Sequence, residues 1–518
     1  MKAREETAST SRGLRLFLYV TAGITGAAIM IVEILGAKML APYFGTSHFV
    51  WTAQIAVTLV ALAAGYYAGG RLVGGTARLG RLYGAIAIAA GYLALTVSLR
   101  SWAAAGLLAL PLAAGSLLCS AFLFFVPLGL LAMTGPFLVR VLTRAVSEVG
   151  GTVGRMTAVS TLGSFFGTLA IGYVLIPLLP NSVTMYGTAC LLILVCLLYF
   201  LLWRRKASAF AVPAALAAIG LAIGAAGVRE APLQSAAFQE IYRGNSNFGL
   251  LQVLQQHDQP YRFYLTDYLV QNTYDVTQGR SISMFTYMLQ GLARAYTPRL
   301  QRVLCIGMGV GIVPRELSRD GVRVDVVEIN PAVVPVARKY FDLDPGAFAL
   351  FIADGRQFLN SCTEQYDAVI LDAFTGDTTP SHLMTKEAFA TIRRVLKPEG
   401  VLVMNSFAAL DPSDDYVAAS LCKTLLSVFP SIRVHASRGG NTMFVASPRA
   451  DLSLLHPPVY SGVHDSVIDE VRDAFTHLWQ PDAGHGIVLT DDYNPVDYYD
   501  AHNLENHRRA LAMSMTGR

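Results

Sequence analysis

The sequence predicts a multi-domain chain: an N-terminal polytopic α-helical membrane bundle, then a small antiparallel β unit, then a Rossmann-like α/β doubly wound domain. Three observations carry this. Nearly all long apolar runs fall within residues 14–227, whereas 228–518 has the mixed composition of a globular sequence. Short alternating segments begin near residue 248. From residue 302, apolar strands and helical stretches alternate regularly, with a glycine-rich turn after the first strand. The 518-residue length predicts several domains, and 53% hydrophobic content with a mean hydropathy of +0.45 is high for a soluble protein. We divide the chain into a multi-pass transmembrane domain over 1–230, a β unit with a helix over 240–300, a Rossmann-like domain over 301–450, and a helical or irregular extension over 451–518.

A bilayer core takes about 20 apolar residues per helix. Spans are expected near 16–36, 49–70, 82–99, 156–179, 182–203 and 209–227. Trp102 to Val139 is a further 38 residues without a charge. As one straight helix it would be roughly 57 Å long, about twice the membrane core. It must therefore break, with Pro111, Pro127 and Pro136 as candidates. No small-residue cleavage site follows the first apolar run, so that run is read as a retained helix rather than a signal peptide. Gly65-x-x-x-Gly69 and Gly163-x-x-x-Gly167 mark close helix packing.

The formal net charge of +4 is small for this length and makes no case for nucleic acid. Six cysteines form no C-x-x-C pair, which argues against a disulfide framework or a zinc site.

In the globular half, FGLLQVLQQ, YRFYLTD and YLVQNTYD read as antiparallel strands, followed by helical SISMFTYMLQGLARAY. Then RVLCIGMG, VRVDVVEIN, FALFIAD, YDAVILDAF and GVLVMNSF each precede a helical stretch, the pattern of a doubly wound parallel sheet. Gly307, Gly309 and Gly311 form a tight turn between strand and helix, where a ligand can approach the backbone and meet helix N-terminal amides. Glu328 ends the next strand, 17 residues after Gly311, where an acid accepts hydrogen bonds from ribose hydroxyls. Asp354 and Gly355 end the third strand and Asp372 the fourth. All lie at carboxyl ends of strands, the crevice in which such sheets bind ligands.

Residues 240–450 resemble the spermidine synthase family of aminopropyltransferases. The matching pieces are LTDYLVQ (265–271), FTY (285–287), VLCIGMGVG (303–311), VVEINPAVVPVARKYF (326–341), IADGRQFL (352–359) and YDAVILDAFTGDTTPSHLMTKEAF (366–389). With FG at 44–45 and LTDDYNPVDYY at 489–499, the whole chain is similar to the subgroup in which such a domain follows a membrane bundle. The resemblance implies an α/β domain of the adenosylmethionine-dependent transferase type. It makes Glu328 the ribose acid, and Asp354 with Gly355 the adenine-binding pair. It puts Tyr287 in the acceptor pocket, with Asp267 and Gln271 on the strand pair over the site. In the family's D-S-S-D-P loop, the second aspartate takes the proton from the attacking amine. Here the loop reads D-A-F-T-G-D: Asp372 matches the first aspartate, Thr375 falls at the second, and Asp377 serves if the loop shifts by two residues.

Other departures concern the transferred group and the amine. Val310 stands where the family's G-G-G-D-G loop has an aspartate, the first-strand glutamine falls on Gly249, and ASRGGNT (436–442) replaces YPSG. The leading expectation is aminopropyl transfer from decarboxylated S-adenosylmethionine to an amine such as putrescine, releasing methylthioadenosine. Asp377 is then the base, Asp372 shapes the donor site, and no cofactor or metal is permanently bound. Two alternatives stand beside it: methyl or aminocarboxypropyl transfer from intact S-adenosylmethionine, and a non-catalytic polyamine or adenosyl transporter or sensor. The expected partners are the lipid bilayer, a small amine and, as in the family, a second copy of the chain. The Lys/Arg clusters at 2–15, 71–81, 140–155 and 204–206 share one side if 102–139 crosses once, which would put the globular half outside after seven crossings. Adenosyl substrates are scarce there, so the expected location is the cell membrane with the catalytic domain in the cytoplasm.

Overall fold

The computed structural model describes residues 11–72, 79–143, 145–203, 211–228, 237–374, 380–412, 414–436, 441–480 and 483–503. It separates into two compact units, one within residues 1–231 and one within 232–506.

The first unit is helical. Six of its helices are long and apolar enough to cross a membrane: Arg12–Phe44, His48–Arg71, Leu79–Leu107, Leu112–Leu142, Val146–Leu178 and Asn181–Trp203. A shorter apolar helix, Ala211–Val228, follows. The uncharged 102–139 stretch is divided. Its first residues finish helix Leu79–Leu107, and the chain restarts after Pro111. The restarted helix has a π-helical turn at Ala121–Phe125 and a break before Thr134–Leu142. The small residues sit where helices touch. A Cβ on Gly163 would lie 2.0 Å from the Gly23 carbonyl oxygen, and one on Gly65 would lie 2.2 Å from that of Gly129. Only glycine allows such approach.

The second unit holds two sheets. A five-stranded antiparallel meander runs β1 (Phe238–Ser246), β2 (Gly249–Gln256), β3 (Tyr261–Thr266), β4 (Leu269–Asp275) and β5 (Arg280–Ser281). Strand β1 lies outside the sequence reading, which begins the β unit's strands near 248. The eight-stranded sheet comprises β6 (Arg302–Ile306), β7 (Arg323–Glu328), β8 (Ala349–Ile352), β9 (Tyr366–Leu371), β10 (Leu396–Ser406), β11 (Ser431–Ala436), β12 (Thr442–Ser447) and β13 (Leu478–Trp479). Its order is β13-β11-β12-β10-β9-β6-β7-β8. Strands β6 to β10 pair in parallel, while β11, β12 and β13 add an antiparallel edge.

Residues alternate across this sheet with the period of two that a strand dictates. Val303 and Cys305 face one apolar layer, while Leu304 and Ile306 face the other. The described residues between 451 and 503 pack against this sheet. Leu452, Val463, Val471 and Phe475 belong to the first layer, and Arg356 pairs with Asp491 at 2.9 Å. The chain runs β6, β7, β8 outward and then returns to β9 on the other side of β6. That reversal opens a crevice at the carboxyl ends of β6 and β9, the place where open α/β sheets take ligands.

Candidate functional site

Strand β6 is followed by Gly307, whose φ is +92°. A Cβ there would lie 2.1 Å from the carbonyl oxygen of Asp372 at the end of β9. Gly309 has φ +52°, and its Cβ would meet Asn272 Oδ1 at 2.5 Å. Both positions need glycine for conformation and for space. Gly311 caps helix Ile312–Arg319 against Leu343.

Side chains from neighbouring strands fix this loop. Glu328 Oε2 accepts from Met308 N at 3.0 Å, and Glu328 Oε1 from Asn330 N at 2.8 Å. Its carboxyl is buried, which raises its pKa against the opposing backbone amides. Each carboxylate oxygen keeps a second lone pair, so ribose hydroxyls can still donate to it. Asn272 Oδ1 accepts from Val310 N at 3.1 Å. Asn272 was not among the residues singled out by sequence. The pairing explains its role: Tyr264 pairs with Asn272 and Leu265 with Val270, so Gln271 is the extra residue of a β-bulge and Asn272 comes next.

Asp267 and Tyr268, with φ +47° and +69°, form the two-residue β3–β4 turn. Asp267 Oδ1 accepts from Leu250 N at 2.9 Å. A Cβ on Gly249 would lie 2.6 Å from Asp267 Oδ2, so this turn leaves no room for a glutamine there. Asn330 Nδ2 donates to Ser246 Oγ at 3.1 Å, tying the end of β7 to the β1–β2 turn.

Asp354 caps helix Gly355–Ser361 by accepting from Gln357 N at 2.9 Å, and its other oxygen meets His382 Nε2 at 3.0 Å. Partial burial raises its pKa, but the Gln357 amide and His382 outweigh that, and the carboxyl sits below the ordinary range. A Cβ on Gly355 would lie 2.6 Å from Ile306 Cγ2, so its absence lets this helix close on β6.

Asp372 lines a small cavity of about 10 Å³, room for one water molecule, with Asn272, Phe285, Cys305, Gly307 and Met308; Glu328 and Asp354 do not line it. Its Oδ1 accepts from Asn405 Nδ2 at 2.9 Å, and Asn405 Oδ1 accepts in turn from Asn441 Nδ2 at 3.0 Å. Burial pushes the Asp372 carboxyl up to about 6, against the Asn405 hydrogen bond that favours its ionised form. A carboxylate so poised is mostly ionised near neutrality and still basic enough to accept a proton. Tyr287 lies on the helix that supplies Phe285. Its hydroxyl donates to Ser281 O at 2.7 Å and accepts from His464 N at 3.3 Å, and burial pushes its pKa up to about 12. Asp377 and Thr375 lie outside the described residues.

Residues 283–437 match the family model described as the spermine/spermidine synthase domain. The chain is 27% identical over 299 residues to a probable polyamine aminopropyl transferase of Bifidobacterium longum, covering 53% of this chain and 66% of that one. It is 35% identical over 131 residues to a polyamine aminopropyltransferase of Vibrio vulnificus, covering 24% of this chain and 44% of that one. It thus spans less than two thirds of either relative. Among solved structures, a probable spermidine synthase from Corynebacterium glutamicum aligns at 18% identity with a TM-score of 0.36, covering 52% of this chain and 94% of that one.

Proposed function

From the premise that this chain carries a spermine/spermidine synthase domain over residues 283–437, we propose that it transfers an aminopropyl group from decarboxylated S-adenosylmethionine to a small amine. The nucleoside lies along the Gly307–Gly311 turn, with Glu328 toward the ribose and Asp354 with Gly355 toward the adenine. Asp267, Gln271 and Tyr287 border the acceptor side. The amine nitrogen attacks the methylene next to the sulfonium. A C–N bond forms, the C–S bond breaks, and methylthioadenosine leaves with the electron pair. The proton lost by the nitrogen passes to a carboxylate of the 372–377 segment.

The observation that carries this reading is the seat of Asp372. It ends a central strand beside the glycine turn, it lines the cavity, and its carboxyl is poised near 6. We therefore assign it the proton acceptance, with Asp377 as the second carboxylate of that segment. The sulfonium is already a good leaving group, so alignment and proton removal are what the protein must supply. The six long apolar helices support an integral membrane protein; the cytoplasmic side for the α/β unit is part of the same proposal and rests on where adenosyl substrates are found. A homodimer is part of the same reading.

The test is product analysis. The full chain, incubated with decarboxylated S-adenosylmethionine and a panel of di- and polyamines, is expected to release methylthioadenosine with one of them. Its absence with every amine would sink the proposal.

One observation favours a second reading, group transfer from intact S-adenosylmethionine. Val310 occupies the position of the family's amine-holding aspartate, and its side chain is buried. Titration calorimetry with both sulfonium compounds separates the two, since tighter binding of the intact compound supports this reading.

A further inference from the structure

The amide pair behind Asp372 has a direction, and that direction has a chemical meaning. An asparagine side chain is nearly symmetric in shape but not in function: one end donates and the other accepts. Facing an ionised carboxylate it must present its NH2. Facing a protonated carboxyl it can present its carbonyl instead. Asn405 comes from β10 and is 2% exposed, so bulk water does not decide which end turns toward Asp372. Asn441 Nδ2 donates to Asn405 Oδ1 at 3.0 Å, and Asn405 Nδ2 donates to Asp372 Oδ1 at 2.9 Å. The ladder holds the pair in place. In the antiparallel β10–β12 ladder Asn405 is opposite Met443, two residues after Asn441, so Asn441 is its diagonal neighbour just before β12. Thr442 Oγ1 also donates to Ala408 O at 3.0 Å, fastening the start of β12 to the chain beyond β10.

We propose that Asn405 and Asn441 are positioning residues for Asp372, forming a two-amide relay that keeps a hydrogen-bond donor aimed at the carboxylate and so sets its readiness to accept a proton. This rests on the reading that Asp372 takes the proton. The surroundings leave the relay room to act. The cavity around Asp372 is lined by Phe285 and Thr286 from helix Met284–Tyr296, by Gly307 and Met308 from the glycine turn, and by the start of helix Ile312–Arg319. None of these described lining residues is charged at neutral pH. Cys305 of β6 is the titratable neighbour among them, and burial raises its thiol so that it stays protonated. Against burial, the relay is the favourable contact that the ionised form gains.

The test is a pH profile of the full detergent-solubilised chain, with decarboxylated S-adenosylmethionine and whichever amine gives product. Asn441→Ala and Asn441→Asp remove the donor. Each is expected to move the acidic limb of kcat upward by about one pH unit, with KM for the sulfonium donor within about twofold of the parent. Asn441→Gln keeps a donor and is expected to hold the limb near its original position. An equal fall in rate at every pH, with an unmoved limb, would overturn the relay and leave Asn441 a purely structural residue. Infrared difference titration of the carboxyl stretch, with Asp372→Asn as the blank, reads the same midpoint without turnover. If no amine supports turnover but the midpoint still rises in Asn441→Ala, the relay stands and the aminopropyl reading falls. An unchanged midpoint removes the relay whatever the activity.

Discussion

Gly307 and Asp372 meet backbone to backbone across the end of the central strands: Asp372 N donates to Ile306 O at 2.9 Å, and no Cβ fits on residue 307 beneath the Asp372 carbonyl. The turn that would hold the nucleoside and the carboxylate that would take the proton are therefore one rigid piece. Gly307→Ala must move one or the other, and left-handed backbone with a side chain costs about 1–3 kcal/mol besides the clash. We expect at least a tenfold loss of sulfonium-donor affinity by titration calorimetry, together with a lower melting temperature. Unchanged affinity would detach the turn from the donor site.

Glu328→Gln keeps the shape of the side chain but replaces a charged acceptor by a neutral one. Hydrogen bonds to charged groups are worth about 1.5–3 kcal/mol, so donor affinity should fall roughly 10- to 100-fold. The control is a deoxyribose analogue of methylthioadenosine. It should lose less affinity than the ribose compound, because it lacks a hydroxyl for Glu328 to bind.

Asp372 makes two linked predictions. As proton acceptor it must be ionised, so kcat should fall as pH drops through about 6. Its effect on stability has the opposite sense. A carboxyl whose folded pKa is raised contributes stability that is fully present below its unfolded value near 3.8 and lost as pH rises through about 6. Asp372→Asn should thus abolish turnover, retain donor binding, and melt higher than the parent at pH 7, with the gain gone by pH 4. A variant less stable at pH 7, or one with turnover intact, would contradict the assignment. Asp377→Asn in parallel shows which carboxylate of the segment does the chemistry.

In the helical unit, a Cβ at Gly163 would lie 2.0 Å from Gly23 O, and one at Gly167 would lie 2.6 Å from Ala27 O. Gly163→Val should force helices Arg12–Phe44 and Val149–Ala170 apart. We expect a lower melting temperature and aggregation on size exclusion in detergent, with donor affinity unchanged. Equal behaviour of variant and parent would mean that this contact is dispensable.

What the sequence made legible follows from how local each signal is. Glu328, Asp354 and Asp372 stood out because a strand end is a local feature. The course of 102–139 was half legible: the missing charges demanded a break, but Arg100 does not end a helix that continues to Leu107. Strand β1 was obscured because FQEIYRGNS carries its charges inward. Glu240 is buried, bonded to Arg243 at 2.7 Å and to Gln252 at 2.8 Å, so the apolar alternation that betrays a strand is lost. Asn272 was illegible for a different reason. Its contact with the glycine turn depends on the bulge at Gln271 and on how the two sheets meet, and neither is written in any short window.

The Asn272 contact also bears on the order in which this molecule assembles. The glycine turn belongs to the eight-stranded sheet, but the atom holding Val310 N belongs to the meander, and Asn330 reaches back to Ser246 of the same meander. The turn therefore acquires its final shape only after the two sheets have docked. Excising residues 297–450 as a minimal domain would keep every residue of the glycine motif and lose the partner that shapes it. Nucleoside binding would then report on completed docking, and a nascent chain would gain it as a late event rather than inherit it from the first strands to fold.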